Sequence, residues 1–392
     1  MLTKANVVVS IAIILIIAIL GAGCIDSGEN EYKDQVRPEE ITGSMDSLET
    51  LLNSRESYHS GWEGEAPQEW RSYVLMAADS APVTGSYRDI YVTLPDGKYL
   101  YNADTGALTY KEDGDSGDAA FFFSYDRELD FDAGTSYMFA ILASVSLWDE
   151  PEPQLSSIPM QENLYFGMIE VEELTSELAA TSSDGSLPNP KTTGNSSFEE
   201  IMDDIRYTSE FSQENIMLSD LSQILWAGYG CTPHTTYNKR AGLTVPSWRA
   251  EYFLTENIYV VNQEGVYKYH NRKPSGDMDT RDHRIEQIQT EDIRKELRES
   301  ITGLPDAPCY IILCLDEEDM EKWYARLETG FVGGNMLLQA SALDMGCYFN
   351  TQLTNTQQNN VQKITGIGDS DTPHAIVSIG YTEVKDQQAL DG

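Results

Sequence analysis

Apolar and polar positions along the chain alternate in two short stretches that match each other. Asp89 to Asn102 reads DIYVTLPDGKYLYN and Asn257 to His270 reads NIYVVNQEGVYKYH, with Ile, Tyr, Val, Gly, Tyr and Tyr at equivalent places without a gap. Each is a β-branched and aromatic run, a polar break at Asp96-Gly97 or Glu264-Gly265, and a second alternating run, the pattern of a β-hairpin. Upstream of each hairpin the spacing turns helical. Ser47 to His59 and Ser197 to Ser209 both open with serine, a preferred N-cap, and carry apolar residues on one face. A second helix follows in each, Glu69 to Ala78 and Leu218 to Gly228, the latter with Ser219 as its N-cap. Downstream come an apolar strand (Ala119 to Tyr125; Pro308 to Leu315), a helix beginning at a glycine (Gly134 to Leu147; Gly330 to Leu343) and a last strand (Asn163 to Val171; Ala375 to Tyr381). The order helix, helix, three strands, helix, strand occurs twice. The expectation is an α+β protein made of one domain in tandem, each copy a central antiparallel sheet flanked by helices.

The boundaries follow from composition. Residues 1–24 read as a targeting segment, 25–45 as a polar tether, 46–175 as the first half, 176–196 as a linker, 197–384 as the second half and 385–392 as a tail. The linker is rich in Ser, Thr, Gly and Pro from Ala179 to Ser196. The second half carries an apparent insertion, Arg272 to Glu299, of mixed charge and helical toward its end. In the targeting segment, Lys4 precedes an apolar run from Val7 to Leu20 and then Gly21-Ala22-Gly23-Cys24. This resembles a lipoprotein signal with Cys24 as the lipidated residue, although Leu20 lies one position earlier than that pattern has its leucine. The other reading is an uncleaved anchor, for which the run is at the short end of the roughly 20 residues needed to span. Both readings place the bulk of the chain outside the cytoplasm, held to the membrane through its N-terminus.

Charge narrows the partners. With Lys+Arg 26 against Asp+Glu 64 the net charge is -38, which disfavours nucleic acid and anionic lipid surfaces and suits solubility in a salty medium. Cys231, Cys309, Cys314 and Cys347 make an even set compatible with an oxidising compartment, but Cys309 and Cys314 fall on opposite faces of one strand. There is no CxxC, and the histidines are scattered, so no metal site is expected. Hydrolase motifs of the G-x-S-x-G, H-E-x-x-H and Walker types are absent.

Four stretches of the second half carry a family resemblance: Met217 to Gly230, Val245-Pro246-Ser247, Gly265 to Tyr269, and Glu328-Thr329-Gly330 running into Asn335 to Gly346. They resemble the nitroreductase-like flavoproteins, nearest the branch that oxidises azolines in modified peptides. The resemblance covers roughly 197–382, and the first half shares it through the second. It implies flavin mononucleotide (FMN) at the interface of two domains. Members of the family pair as obligate dimers, so a tandem chain would supply both partners as an intrachain pseudo-dimer. The family's site joins an Arg/Lys-x-Ser-x-Arg/Lys motif after the first helix of one domain to a Pro-Ser loop of the other, because a phosphate needs cations and hydroxyl or backbone donors.

The two halves depart from that pattern in complementary ways. The second half has Ile205, Tyr207 and Ser209 at the motif positions, with Arg206 between them, whereas the first half has Arg55, Ser57 and His59. The Pro-Ser loop persists as Pro246-Ser247, followed by Trp248 and Arg249 where the family has small residues; the first half has Ala81-Pro82-Val83. One composite flavin site is therefore expected, from Arg55, Ser57 and His59 with Pro246, Ser247, Trp248 and Arg249. On this reading His59 is the candidate for proton transfer, and Cys347 to Asn350 runs near the reactive face of the ring. Electrons would come from a membrane carrier or an organic substrate. The competing expectation is a binding or assembly module without cofactor, using Trp248 and Arg249 as contact anchors.

Overall fold

A computed structural model describes residues 32–33, 46–54, 68–85, 88–94, 97–113, 120–125, 130–146, 185–236, 239–273 and 280–382. The targeting segment with Cys24, the candidate residues Arg55, Ser57 and His59, the expected strand at 163–171 and the tail lie outside these residues.

The first half contains β1 (Tyr32–Lys33), α1 (Leu48–Ser54), α2 (Gln68–Ser80), β2 (Arg88–Leu94), β3 (Gly97–Asn102), β4 (Ala107–Glu112), β5 (Ala120–Tyr125) and α3 (Asp130–Ser146). In the second half follow α4 (Phe198–Asp203), α5 (Leu218–Tyr229), β6 (Cys231–Thr235), β7 (Ala241–Leu243), β8 (Ile258–Asn262), β9 (Gly265–Lys273), β10 (Thr280–Gln289), α6 (Arg294–Ser300), β11 (Cys309–Asp316), α7 (Trp323–Ala342), β12 (Met345–Asn350), α8 (Asn355–Thr365) and β13 (Asp371–Tyr381). The class is α+β, with antiparallel sheets flanked by helices.

Both hairpins form, and in the same register. Val92 faces Tyr99 and Leu94 faces Gly97 in the first; Val260 faces Tyr267 and Asn262 faces Gly265 in the second. The strand orders also correspond. The first sheet runs β1-β4-β3-β2-β5 and the second β10-β9-β8-β11-β13-β12, so β4-β3-β2-β5 and β10-β9-β8-β11 occupy matching places. The stretch read as an insertion therefore contains the strand β10, which has β4 in the matching place of the first sheet, and ends in the short helix α6, as its helical pattern suggested. Mixed charge hid the strand because β10 is an edge, where charged side chains are tolerated and discourage further pairing.

β11 is buried on both faces. Cys309, Ile311, Leu313 and Leu315 enter the core shared with both halves, while Tyr310, Ile312 and Cys314 enter a second core with α6 and α8. The two cysteines lie on opposite faces, as the odd spacing requires, and Cys231, Cys309, Cys314 and Cys347 are all free thiols.

The halves meet chiefly where α3 crosses α7. Both helices begin earlier than their glycines suggested, leaving Gly134 and Gly330 in helix interiors. A glycine there costs about 1 kcal/mol relative to alanine, and the crossing explains its presence. A methyl group on Gly330 would collide with the Phe131 carbonyl oxygen and lie 2.8 Å from Gly134 Cα; one on Gly134 would collide with the Leu327 carbonyl oxygen and lie 2.9 Å from Gly330 Cα. The contact is reciprocal, each glycine facing the carbonyl three residues before the other. One turn earlier, Arg326 donates to buried Asp130 at 2.6 Å. The serines that open the first helices also face one another, Ser47 bridging Ser197. Polar links across the halves include Gln339 Nε2 donating to Glu49 Oε1 at 2.9 Å and the Tyr73 hydroxyl donating to Glu199 Oε1 at 2.5 Å.

One helix expectation shortens and the N-cap of another moves. α4 is a single capped turn or so, with Ser197 and Glu200 forming a capping box. Beyond it Tyr207 bridges Cys347 of β12 in parallel fashion, so 204–209 runs beside a strand. α5 starts from Met217, and Ser219 lies inside the helix.

Gly330→Ala is expected to force α3 and α7 apart, at a cost of about 1–3 kcal/mol, lowering the melting temperature by several degrees. Gly368→Ala, where the nearest atom to an added methyl is Ser370 Oγ at 3.8 Å, should leave it unchanged; scanning calorimetry of both variants makes the comparison.

Candidate functional site

Pro246, Ser247, Trp248 and Arg249 lie in the loop between β7 and β8. The loop is held from beneath by α7. Glu328, fully buried, accepts from the Phe253 N–H at 3.0 Å and from the Tyr229 hydroxyl at 2.5 Å, and the Tyr229 oxygen accepts in turn from the Leu254 N–H at 3.0 Å. Ser247 Oγ accepts from the Tyr252 N–H at 2.7 Å. These bonds fix a strained backbone: Arg249, Ala250, Tyr252 and Glu256 all have positive φ, between 51° and 66°. Such a conformation costs of order 1–2 kcal/mol for a residue with a Cβ, and it persists only where surrounding contacts impose it.

Burial pushes the Glu328 carboxyl up to about 7, against the lowering effect of its hydrogen bonds with Ser247, Tyr229 and Phe253. The Tyr229 phenol is raised well above its ordinary value, first by burial and then by Glu328, so it remains a donor. Sequence reasoning quoted Glu328 within a motif and gave it no task. The available signal was a carboxylate in the otherwise apolar, small-residue run Leu327 to Gly334.

Trp248 and Arg249 join an aromatic stack at the start of α7. The Trp248 and Tyr324 rings lie parallel, 5.2 Å apart, with Phe253 at 5.5 Å and Trp323 at 5.7 Å from Tyr324. The Arg249 guanidinium sits 5.6 Å from the Trp248 ring centre. Arg249 and Trp323 are exposed.

A separate cleft of about 370 Å³ opens between the halves. It is lined by Val83 and Thr84, just after Pro82, and by Tyr207, Tyr348 to Leu353 and neighbouring residues of the second half. Here Tyr207, from the 205–209 stretch of the second half, meets Val83 and Thr84 of the first. Among the described residues, none that lines it carries a charge. Asp132, buried behind Thr84, accepts from the Thr84 N–H at 2.9 Å, the Thr84 hydroxyl at 2.8 Å and the Gly85 N–H at 3.0 Å. A phosphate would find no cation and an adjacent carboxylate, so these residues do not fit FMN. Tyr348, Phe349 and Asn350, expected beside the ring of the composite site, line this cleft instead, because the 206–208 segment pairs with β12 and draws Tyr207 onto Tyr348.

The described histidines are engaged elsewhere. His283 lies between Ser222 Oγ and Tyr269 Oη, and His374 against Thr329 Oγ1; burial lowers both to about 4. His270 pairs with Glu256 and Glu286, and His234 with Thr232.

Comparison with known proteins bears on the domain that contains these features. The family model described as Nitroreductase family matches residues 206–381. Two proteins that carry the name "putative nitroreductase" are similar to the chain. The one from Methanocaldococcus jannaschii is 29% identical over 164 residues, 38% of this chain and 75% of that protein. The crystal structure of the one from Anabaena variabilis superposes with a TM-score of 0.57 at 14% identity, covering 92% of this chain and 96% of that chain, and so shares its fold. Residues 206–381 are a nitroreductase-family domain.

Proposed function

We propose that the protein is an FMN-dependent oxidoreductase, tethered to the membrane outside the cytoplasm, with one composite flavin site between two halves that arose by duplication. The observation that carries this reading is the reciprocal crossing of α3 and α7 at Gly134 and Gly330. Equivalent residues facing each other is the geometry of a two-fold interface, and such an interface is where the family resemblance puts its flavin. Matching hairpin registers and strand orders support the duplication.

A two-fold arrangement has two candidate pockets, and the uncharged cleft at Tyr207 does not suit a phosphate. The other would draw Arg55, Ser57 and His59 from the first half and Pro246, Ser247, Trp248 and Arg249 from the second. Arg55 and Ser57 would hold the phosphate by charge-assisted and hydroxyl hydrogen bonds. The flavin supplies hydride or electron transfer when bound. His59 would carry the proton, histidine being the side chain that ordinarily titrates nearest neutrality. Glu328 acts from behind as a positioning residue, holding the strained loop that presents Trp248 and Arg249.

A binding module without cofactor is the second reading, and the stack of Trp248 on Tyr324 beside exposed Arg249 and Trp323 favours it, since such residues anchor contact surfaces.

Flavin fluorescence of the full chain, loaded with FMN and desalted, separates the two readings. Arg55→Ala is expected to weaken FMN binding about tenfold to a hundredfold through loss of a charged hydrogen bond. Arg206→Ala, whose guanidinium pairs with Asp204 and Asp344, should not; retention of no flavin by the unmutated chain supports the binding module. Glu328 adds a pH signature. Its folded pKa of about 7 exceeds the ordinary value near 4.5, so between those limits the folded state binds the extra proton and stability falls as pH rises, on the order of 3 kcal/mol in all. Melting curves from pH 5 to 8 should show this slope, and Glu328→Gln should flatten it. Mass spectrometry of the membrane fraction tests the tether: a mature chain beginning at a lipid-modified Cys24 is expected, and an intact Met1 would overturn lipidation.

A further inference from the structure

We infer that the cleft between Thr84 and Tyr348 binds a neutral, polyhydroxylated small molecule of monosaccharide size. The inference goes beyond the flavin reading and does not depend on it. The cleft's volume of about 370 Å³ lies at the lower end of the ~300–1,000 Å³ typical of small-molecule sites. Its lining excludes the other ligand classes in turn. An anion would meet no Lys or Arg among the described residues, since none of them lines it. A cation would find no open carboxylate, because the Asp132 oxygens already accept three hydrogen bonds from Thr84 and Gly85. An apolar ligand would cover hydroxyls and amides without satisfying them, a loss of hydrogen bonding that burial makes costly.

What remains is a surface of neutral donors and acceptors beside a rigid aromatic wall. Thr84 gives its hydroxyl hydrogen to Asp132, so in its 2.8 Å contact with Thr351 the latter must donate, leaving Thr351 Oγ1 lone pairs to accept from a ligand. Gln357 is oriented by the capping box of α8, its Oε1 accepting from the Thr354 N–H and hydroxyl at 2.9 Å. Its NH₂ is left to donate. Among the described residues the Gln352 amide and the Tyr348 hydroxyl make no side-chain hydrogen bond. Tyr207 and Tyr348 stack 5.2 Å apart, 19° from parallel, and Phe349 packs on Tyr207 at 5.4 Å. Asn350 Nδ2 ties this wall to the Gly303 carbonyl at 3.2 Å. The site is thus preformed, which lowers the entropic cost of binding. Alternating hydroxyl donors and acceptors with C–H faces on a sugar ring match it: the amides and threonines take the hydroxyls, and the tyrosine wall takes the apolar face.

The test is calorimetric titration and saturation-transfer NMR of the full chain with D-glucose, D-galactose and N-acetyl-D-glucosamine, with D-glucuronate and inorganic phosphate as charged comparators. At least one neutral sugar is expected to bind with a Kd on the order of 1 mM or tighter, without competition from phosphate. Tyr348→Ala and, separately, Gln352→Ala should each weaken it about fivefold or more, with Gln352→Ala retaining the melting temperature because that exposed amide has no side-chain hydrogen bond among the described residues. Failure of all three neutral sugars to bind, equal binding of phosphate, or affinity unchanged in both variants would overturn the assignment.

Discussion

Backbone-to-backbone approach at one point sets how the two halves of this molecule can sit. Where α3 crosses α7, neither Gly134 nor Gly330 has room for a single added methyl. The crossing brings the aromatic side chain of Phe131 over Gly333 and lets the Thr135 hydroxyl reach the Gly330 carbonyl at 3.3 Å. Dispersion and burial along this seam join the cores of both halves into one. Each cleft between the halves inherits its width from that distance. The ion pair of Arg326 with Asp130 adds direction to the contact, although such pairs contribute little net energy once desolvation is counted.

Much of this architecture was legible in the sequence because two hairpin stretches share one pattern. The shared Ile-Tyr-Val and Tyr-x-Tyr of the hairpins predicted strands that form in matching registers, and odd spacing separated Cys309 from Cys314. The helical stretches were found, but their limits were not. A glycine reads locally as a boundary, and only the partner helix reveals that Gly134 and Gly330 are interior contacts. Charge concealed β10, since an edge strand has little apolar alternation to show. β12 was invisible as a strand because its neighbours, β13 and the 206–208 segment, are distant in sequence.

The site was legible as residue types and less so as geometry. Pro246 to Arg249 was identified, yet its restraint comes from a carboxylate on another element. Glu328 holds two N–H groups of the β7–β8 loop, that of Phe253 directly and that of Leu254 through Tyr229, opposing backbone strain at four residues with side chains. No local pattern encodes such an arrangement. The scarcity of cations at 205–209 was legible, and its geometric setting was not: Tyr207 stacks on Tyr348 at the edge of a cleft whose described lining is neutral.

The segment read as a linker has a role that its composition does not announce. From Gly185 it runs along β10, with the Leu187 N–H donating to the His283 carbonyl, the Ile285 N–H donating to the Gly185 carbonyl, and Ser186 bridging Arg284. Gly185, at φ 92°, permits an approach that a side chain would block, since an added methyl would strike the Ile285 carbonyl oxygen. β10 is the outer strand of its sheet, and an outer strand offers free N–H and C=O groups to any passing chain. The connection between the halves therefore doubles as an edge guard, and a cut within it would open that edge to pairing with other chains.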